Sequence, residues 1–204
     1  MANASSFDAR AATWDEDPGK RRRAAAVADA IRRQVKLSAD MSAMEYGAGT
    51  GLLSFELADE LGSILLTDSS IGMLEVARSK VAASVTSTMT VRALDLTQDP
   101  LPMERFDIIY SMMTLHHVPD TGDLLGKLYT LLRPGGHLCV ADLDAEDGSF
   151  HGPGVDVHHG FDRDALGAAL CAAGFNDVRF DTCLQIAKGP RSYGVFLAVA
   201  SRLR

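Results

Sequence analysis

The chain has 204 residues, 47% of them hydrophobic, and a formal net charge of -7, which suits one α/β domain with modest additions and leaves no room for a second. The acidic balance repels polyanions, so nucleic acid would need a strong local basic patch to bind. No run of eighteen uncharged apolar residues occurs, and the first residues lack a charged start followed by an apolar segment, so membrane spanning and secretion are not expected and the chain reads as cytoplasmic.

Residues 1 to about 38 precede the main pattern. Phe7 and Trp14 are lone aromatics there, suited to docking this segment on a core. Asp17 can cap, and Pro18 can start, a helix reaching about Lys36, with Ala24, Val27, Ala28 and Ile31 at helical spacing. The basic run Lys20-Arg21-Arg22-Arg23 then falls on the solvated side of this amphipathic helix. Cations in a first turn oppose the helix dipole at a small cost.

A strand from Asp40 to Tyr46 leads into Glu45-Tyr46-Gly47-Ala48-Gly49-Thr50-Gly51, and a helix follows from Leu52 to Leu61. Glycines at alternate positions let the backbone take positive φ and approach a ligand closely, and the helix start presents unpaired N–H groups. A dinucleotide turn needs G-x-G-x-x-G, but Leu52 stands where its third glycine would be. Glu45 would also repel pyrophosphate and favour a cation.

The second strand, Ile64 to Asp68, ends in an acid that can accept both hydroxyls of a ribose. Ser69-Ser70-Ile71-Gly72-Met73-Leu74 then begins a helix. Thr90 to Leu96 reads as a third strand containing Asp95, and Phe106 to Ser111 as a fourth, short and apolar as a buried parallel strand should be. Pro134-Gly135-Gly136 is a turn before a fifth strand, His137 to Asp142. Cys139 lies in that strand, far from Cys171 and Cys183, and the three read as reduced structural thiols without a disulfide or zinc spacing. Asp162 can cap a helix near Asp164. Val178 to Thr182 and Gly194 to Val199 are two final strands joined through Gly189-Pro190-Arg191-Ser192.

This order of glycine turn, acid-ended strands and Pro-Gly-Gly turn resembles the class I S-adenosylmethionine-dependent methyltransferases from roughly Met41 to the C-terminus. The resemblance implies a three-layer α/β fold, with a Rossmann-like, seven-stranded sheet that is mostly parallel and whose last strand is antiparallel and inserts beside the fifth. It also implies a helical lid over residues 1–38, ahead of a cofactor-binding domain spanning 39–204. S-adenosyl-L-methionine, with an ammonium and a sulfonium and no phosphate, is the implied cofactor. Glu45 would face its methionine ammonium, with the Ser111 backbone helping to hold it. Asp68 would lie at the ribose, Met73 on the adenine face and Asp95 at the adenine amino group, with Gly47, Gly49, Ser69 and Leu96 also around the cofactor.

Methyl transfer is an in-line displacement on a good leaving group, so alignment and desolvation do most of the work, and a base is needed only for a protonated acceptor. Five of the six histidines follow strands four and five: His116 and His117, then His151, His158 and His159. Ligands of open α/β sheets bind at that edge. One of His116 and His117 reads as structural. His117, His151 and His159 are the acceptor-side catalytic candidates. Two histidines with Asp142 or Asp144 could hold a divalent metal, but magnesium prefers carboxylates and no zinc-like spacing occurs, so no metal is expected. Strand four continues as Ser111-Met112-Met113-Thr114 rather than Asn/Asp-Pro-Pro-aromatic, which argues against nucleobase or glutamine nitrogens as acceptors. The expected partner is a small-molecule methyl acceptor, with no nucleic acid or membrane, and the chain is expected as a monomer or homodimer. Two other readings stay open: cofactor binding without transfer in a regulatory or scaffold role, and a nicotinamide oxidoreductase, which Leu52 and Glu45 disfavour.

Overall fold

The structure, a computed structural model, describes residues 4–84, 88–152 and 154–204. A short helix α1 (Ala4–Asp8) and a 3-10 turn (Ala11–Glu16) precede α2 (Pro18–Gln34). Then follow β1 (Ser42–Tyr46), α3 (Leu52–Leu57), β2 (Ser63–Asp68), α4 (Ile71–Ala83), β3 (Met89–Ala93) and β4 (Phe106–Met112). The second half holds α5 (Thr121–Leu131), β5 (Leu132–Leu143), α6 (Arg163–Ala172), β6 (Asn176–Lys188) and β7 (Arg191–Ser201).

The strands form one seven-stranded sheet in the order β3-β2-β1-β4-β5-β7-β6. β7 pairs antiparallel with both β5 and β6, while β1 to β5 pair parallel with one another. Alternation along the strands feeds two cores, because successive side chains point to opposite faces. Ala43, Ile64, Ile108 and Cys139 join α2 and α3 on one face. Met44, Leu65, Ile109 and Leu138 join α5 and α6 on the other. Order reverses between β1 and β4, and that crevice at the C-terminal strand ends is where open α/β sheets bind ligands.

Helix caps form where sequence placed them: Asp17 accepts from the Gly19 amide and Asp162 from the Ala165 amide. Several boundaries differ. β1 starts at Ser42 rather than Asp40. β3 stops at Ala93, so Asp95 lies past the strand, in a turn where its carboxylate accepts from the amide and hydroxyl of Thr97 at 2.9 and 2.6 Å. The final hairpin closes through Gly189-Pro190 alone, with Arg191 and Ser192 already in β7. The segment 1–38 also divides: Val27, Ala28, Ala30 and Ile31 of α2 are fully buried in the main core, while the residues before Pro18 and the first turns of α2 border the crevice. No helix among the described residues is long and apolar enough to cross a membrane.

Candidate active site

The crevice opens into a cavity of about 610 Å³ whose walls include the glycine turn, the first residues of α4, the turn after β4, the loop after β5 and the N-terminal segment. Gly47, Gly49 and Gly51 take φ of 71°, 55° and 82°, the left-handed region that glycine enters without a Cβ penalty. At Gly47 the requirement is doubled, since a Cβ there would come within 2.2 Å of Thr114 Cγ2. The turn can therefore press against Thr114, two residues past the end of β4.

Glu45 lies beneath this turn, 1% exposed, and lines the cavity. Its carboxylate accepts from the Ser54 hydroxyl at 2.5 Å and the Ser54 amide at 3.1 Å, and Ser54 Oγ in turn lies 2.8 Å from Tyr110 Oη. Burial pushes the Glu45 carboxyl up to about 8, against the pull of the two Ser54 bonds. A cation arriving at this site would reverse that balance.

Asp68, at the end of β2, turns its two oxygens to backbone amides: Oδ2 accepts from Gly49 at 2.7 Å and Oδ1 from Ser70 at 2.8 Å. A carboxylate has about four lone-pair sites, so acceptor capacity remains for a ligand. Burial raises its pKa. Met73, 2% exposed, lines the same side, its amide bonded to the capping Ser70 hydroxyl at 3.2 Å.

The N-terminal segment is tied down across the turn. Asp15 accepts from Thr50 Oγ1 at 2.5 Å and from Lys80 Nζ at 2.6 Å, while Lys80 also reaches the Thr50 carbonyl at 2.9 Å. Asp8 accepts from Ser70 Oγ at 2.6 Å and the Gly72 amide at 2.8 Å. These bonds carry Phe7 and Trp14 onto the cavity, with Phe7 edge-on to the His117 ring at 5.4 Å.

The same cavity also has a basic, imidazole-rich lining. Asp142 is fully buried and accepts from His116 Nδ1 at 2.6 Å and from the amides of His116 and Leu143 at 3.2 and 2.7 Å. An acceptor-only carboxylate fixes the proton on Nδ1 and leaves a lone pair on His116 Nε2. The His116 and His117 ring centroids are 4.1 Å apart, with His151 at 4.9 and 5.4 Å. Burial, then the neighbouring rings, holds His117 down to about 3; burial and His116 hold His151 down to about 4. Both rings are neutral at ordinary pH.

Four cations also line the cavity: Arg10, Lys20, Arg23 and Lys188. Lys20 sits over the Trp14 ring, 3.5 Å from its centroid. Arg23 Nε has no hydrogen-bond partner among the described residues, and burial lowers the pKa of its guanidinium. Sequence alone placed the whole Lys20–Arg23 run in solvent. Arg21 and Arg22 are exposed as expected, but Lys20 and Arg23, three apart on one helix face, turn inward.

Of the residues singled out by sequence, Glu45, Gly47, Gly49, Asp68, Ser69, Met73, His117 and His151 line one cavity. Asp95, Leu96, Ser111 and His159 do not. Asp95 is engaged in its own turn and Leu96 is fully buried in the core. Ser111 Oγ donates to the Tyr46 carbonyl at 2.8 Å, which ties β4 to β1. The exposed His159 packs against Gly148, because the chain turns outward there and its carbonyl accepts from the Glu146 amide. His158 is a brace: its amide donates to the His116 carbonyl at 2.9 Å, and its Nε2 lies 2.9 Å from the Val118 carbonyl. Asp144 is held by Arg163 through two bonds at 2.7 and 2.9 Å, away from the histidines.

Residues 44–140 match a family model described as a methyltransferase domain. An uncharacterized methyltransferase of Anoxybacillus flavithermus is 36% identical over 101 residues, 48% of this chain and 45% of that one. The chain spans less than half the length of the curated relatives it matches. Among solved structures, the methyltransferase in complex with the Haloferax volcanii Trm112 methyltransferase activator is similar with a TM-score of 0.78 at 21% identity, covering 97% of this chain and 98% of that one. The N-methyltransferase NodS of Bradyrhizobium japonicum, solved with S-adenosylhomocysteine, gives 0.72 at 20% identity, covering 93% and 90%. At these identities the structural likeness speaks to the fold.

Proposed function

The chain belongs to the class I S-adenosylmethionine-dependent methyltransferases, and on that premise we propose that it transfers the cofactor's methyl group to a small organic acceptor bearing an anionic group. What supports the reading is one juxtaposition: a single cavity lined both by Glu45, the glycine turn and Asp68 and by His117, His151, Lys20 and Arg23. The first set suits an ammonium and a ribose. The second suits an acceptor with a carboxylate or phosphate beside its nucleophile.

In the reaction the acceptor's lone pair attacks the methyl carbon, the carbon–sulfur bond breaks, and its electron pair goes to sulfur to leave S-adenosylhomocysteine. The chain's task is to hold the nucleophile in line with that bond and keep water out. Neutral His117 and His151 accept a hydrogen bond from the acceptor's O–H or N–H and take the proton as bond formation makes it acidic. Residues before Pro18 serve as the lid. We place the enzyme in the cytoplasm, as a monomer or homodimer.

The test is incubation with methyl-labelled cofactor and small acceptors that carry a carboxylate or phosphate, each beside its neutral analogue. Label should move to the anionic members, with one S-adenosylhomocysteine formed per product. Tight cofactor binding without transfer to any member would favour the regulatory or scaffold reading.

A further inference from the structure

Three buried ring nitrogens lack hydrogen-bond partners at the acceptor end: Nε2 of His116, Nδ1 of His117 and Nε2 of His151. Unpaired buried polar atoms are uncommon, and a cluster of them asks for an occupant. Each of the three residues offers a ligand atom within 4.8 Å of the others. Tetrahedral nitrogens at about 2.0–2.1 Å from zinc stand ~3.4 Å apart, so binding draws the rings inward by about an ångström. His151 comes from the loop after β5 rather than from a regular element.

We propose that His116, His117 and His151 bind a zinc-type divalent cation, with the fourth coordination position open to the cavity. The donor set decides the metal class. Three imidazoles without a directly ligating carboxylate suit zinc or cobalt and do not suit magnesium or calcium, which prefer oxygen. The surroundings match what metal-ligating histidines need. Asp142 holds His116 Nδ1 and so points the Nε2 lone pair, in the carboxylate–histidine–metal arrangement. His158 braces the same turn through the His116 and Val118 carbonyls. All three histidines line the cavity, so a three-ligand site would keep a position for acceptor or water, as catalytic rather than structural zinc sites do.

Sequence spacing hid this arrangement, because His116 and His117 are adjacent and His151 lies beyond a helix and a strand. Only the parallel pairing of β4 with β5 brings them together. A cation there would occupy the lone pairs of His117 and His151 and replace them as the base: it would bind an acceptor's O–H or S–H group and favour loss of its proton to solvent, leaving the heteroatom lone pair to attack the methyl carbon as the carbon–sulfur bond breaks toward sulfur. This chemical role rests on the methyl-transfer reading; the binding site does not.

The test uses the untagged protein, stripped with chelator and titrated with zinc(II), then cobalt(II), with magnesium(II) as control. One equivalent of zinc should bind at micromolar concentration or tighter, and cobalt should give the intense visible bands of a four-coordinate ion. Asp142→Asn should weaken zinc about 10–100-fold. His151→Asn and His117→Ala should each cost at least about tenfold, while S-adenosylhomocysteine still binds both and so reports their folding. No stoichiometric zinc or cobalt binding by the wild type would overturn the proposal. So would equal affinity in a folded His117→Ala/His151→Asn protein. A failure here would leave S-adenosylhomocysteine binding, and therefore the family's cofactor site, untouched.

Discussion

Asp68 accepts the Gly49 amide hydrogen at 2.7 Å, joining the acid that ends β2 to the middle of the glycine turn. The contact makes the carboxylate a brace of the turn, and the proposed ribose contact would use its remaining lone pairs. Asp68→Ala should weaken S-adenosylhomocysteine by the loss expected for charged hydrogen bonds, roughly 1.5–3 kcal/mol or about 10–150-fold. Calorimetric titration measures it, and unchanged affinity in a folded variant would remove Asp68 from the site.

Glu45 sets a pH dependence. Burial holds its carboxyl up to about 8, so without ligand it is mostly protonated at neutral pH. A bound ammonium favours the carboxylate, so binding should release a proton, and affinity should rise by up to about tenfold per pH unit between about pH 6 and 8. Above that range the ligand's own ammonium begins to lose its charge. Titration near neutral pH in buffers of different ionisation enthalpy reads the released proton. Glu45→Gln should bind more weakly and release none.

Gly47→Ala should destabilise the protein, because a methyl group would enter Thr114 and the φ of 71° is strained for any L side chain. Together these should cost about 1–3 kcal/mol, seen as a lower Tm. Adding Thr114→Ala should recover the steric part and leave the backbone part. A Gly47→Ala protein as stable as wild type would contradict the close approach.

Asp15 should couple to Lys80 by up to about 1 kcal/mol in a double-mutant cycle on thermal unfolding, since the pair is half-buried and shares a network with Thr50. Asp15→Asn should also speed amide exchange across Ala11–Glu16. Exchange unchanged there would mean that other contacts hold this segment.

Arg23→Met should raise KM for an anionic acceptor about 10–100-fold, the size of a charge-assisted contact, and spare its neutral analogue. Steady-state kinetics on both acceptors separate the two. An equal effect on both would assign Arg23 to packing.

What sequence revealed, it revealed through local chemistry. Three glycines after an acid and an apolar run ending at Asp68 each have a short-range cause, so the sheet and one wall of the cavity were legible, whereas Pro134-Gly135-Gly136, read as a turn before the fifth strand, lies within β5 where its register against β4 shifts. The acceptor end depends on neighbours in space. Asp142 meets His116 only because β4 and β5 pair in parallel. Lys20 and Arg23 part from Arg21 and Arg22 only because α2 lies with one face along the cavity, and their i, i+3 spacing was the sole hint. His159 looked equivalent to His151, yet the loop turns it outward.

A crystal structure of the protein with S-adenosylhomocysteine tests the central claim most directly. The account predicts the ribose hydroxyls on Asp68, the ammonium beside Glu45 and the sulfur facing the His117–His151 end. A ligand lying outside this cavity, or reversed within it, would contradict the account.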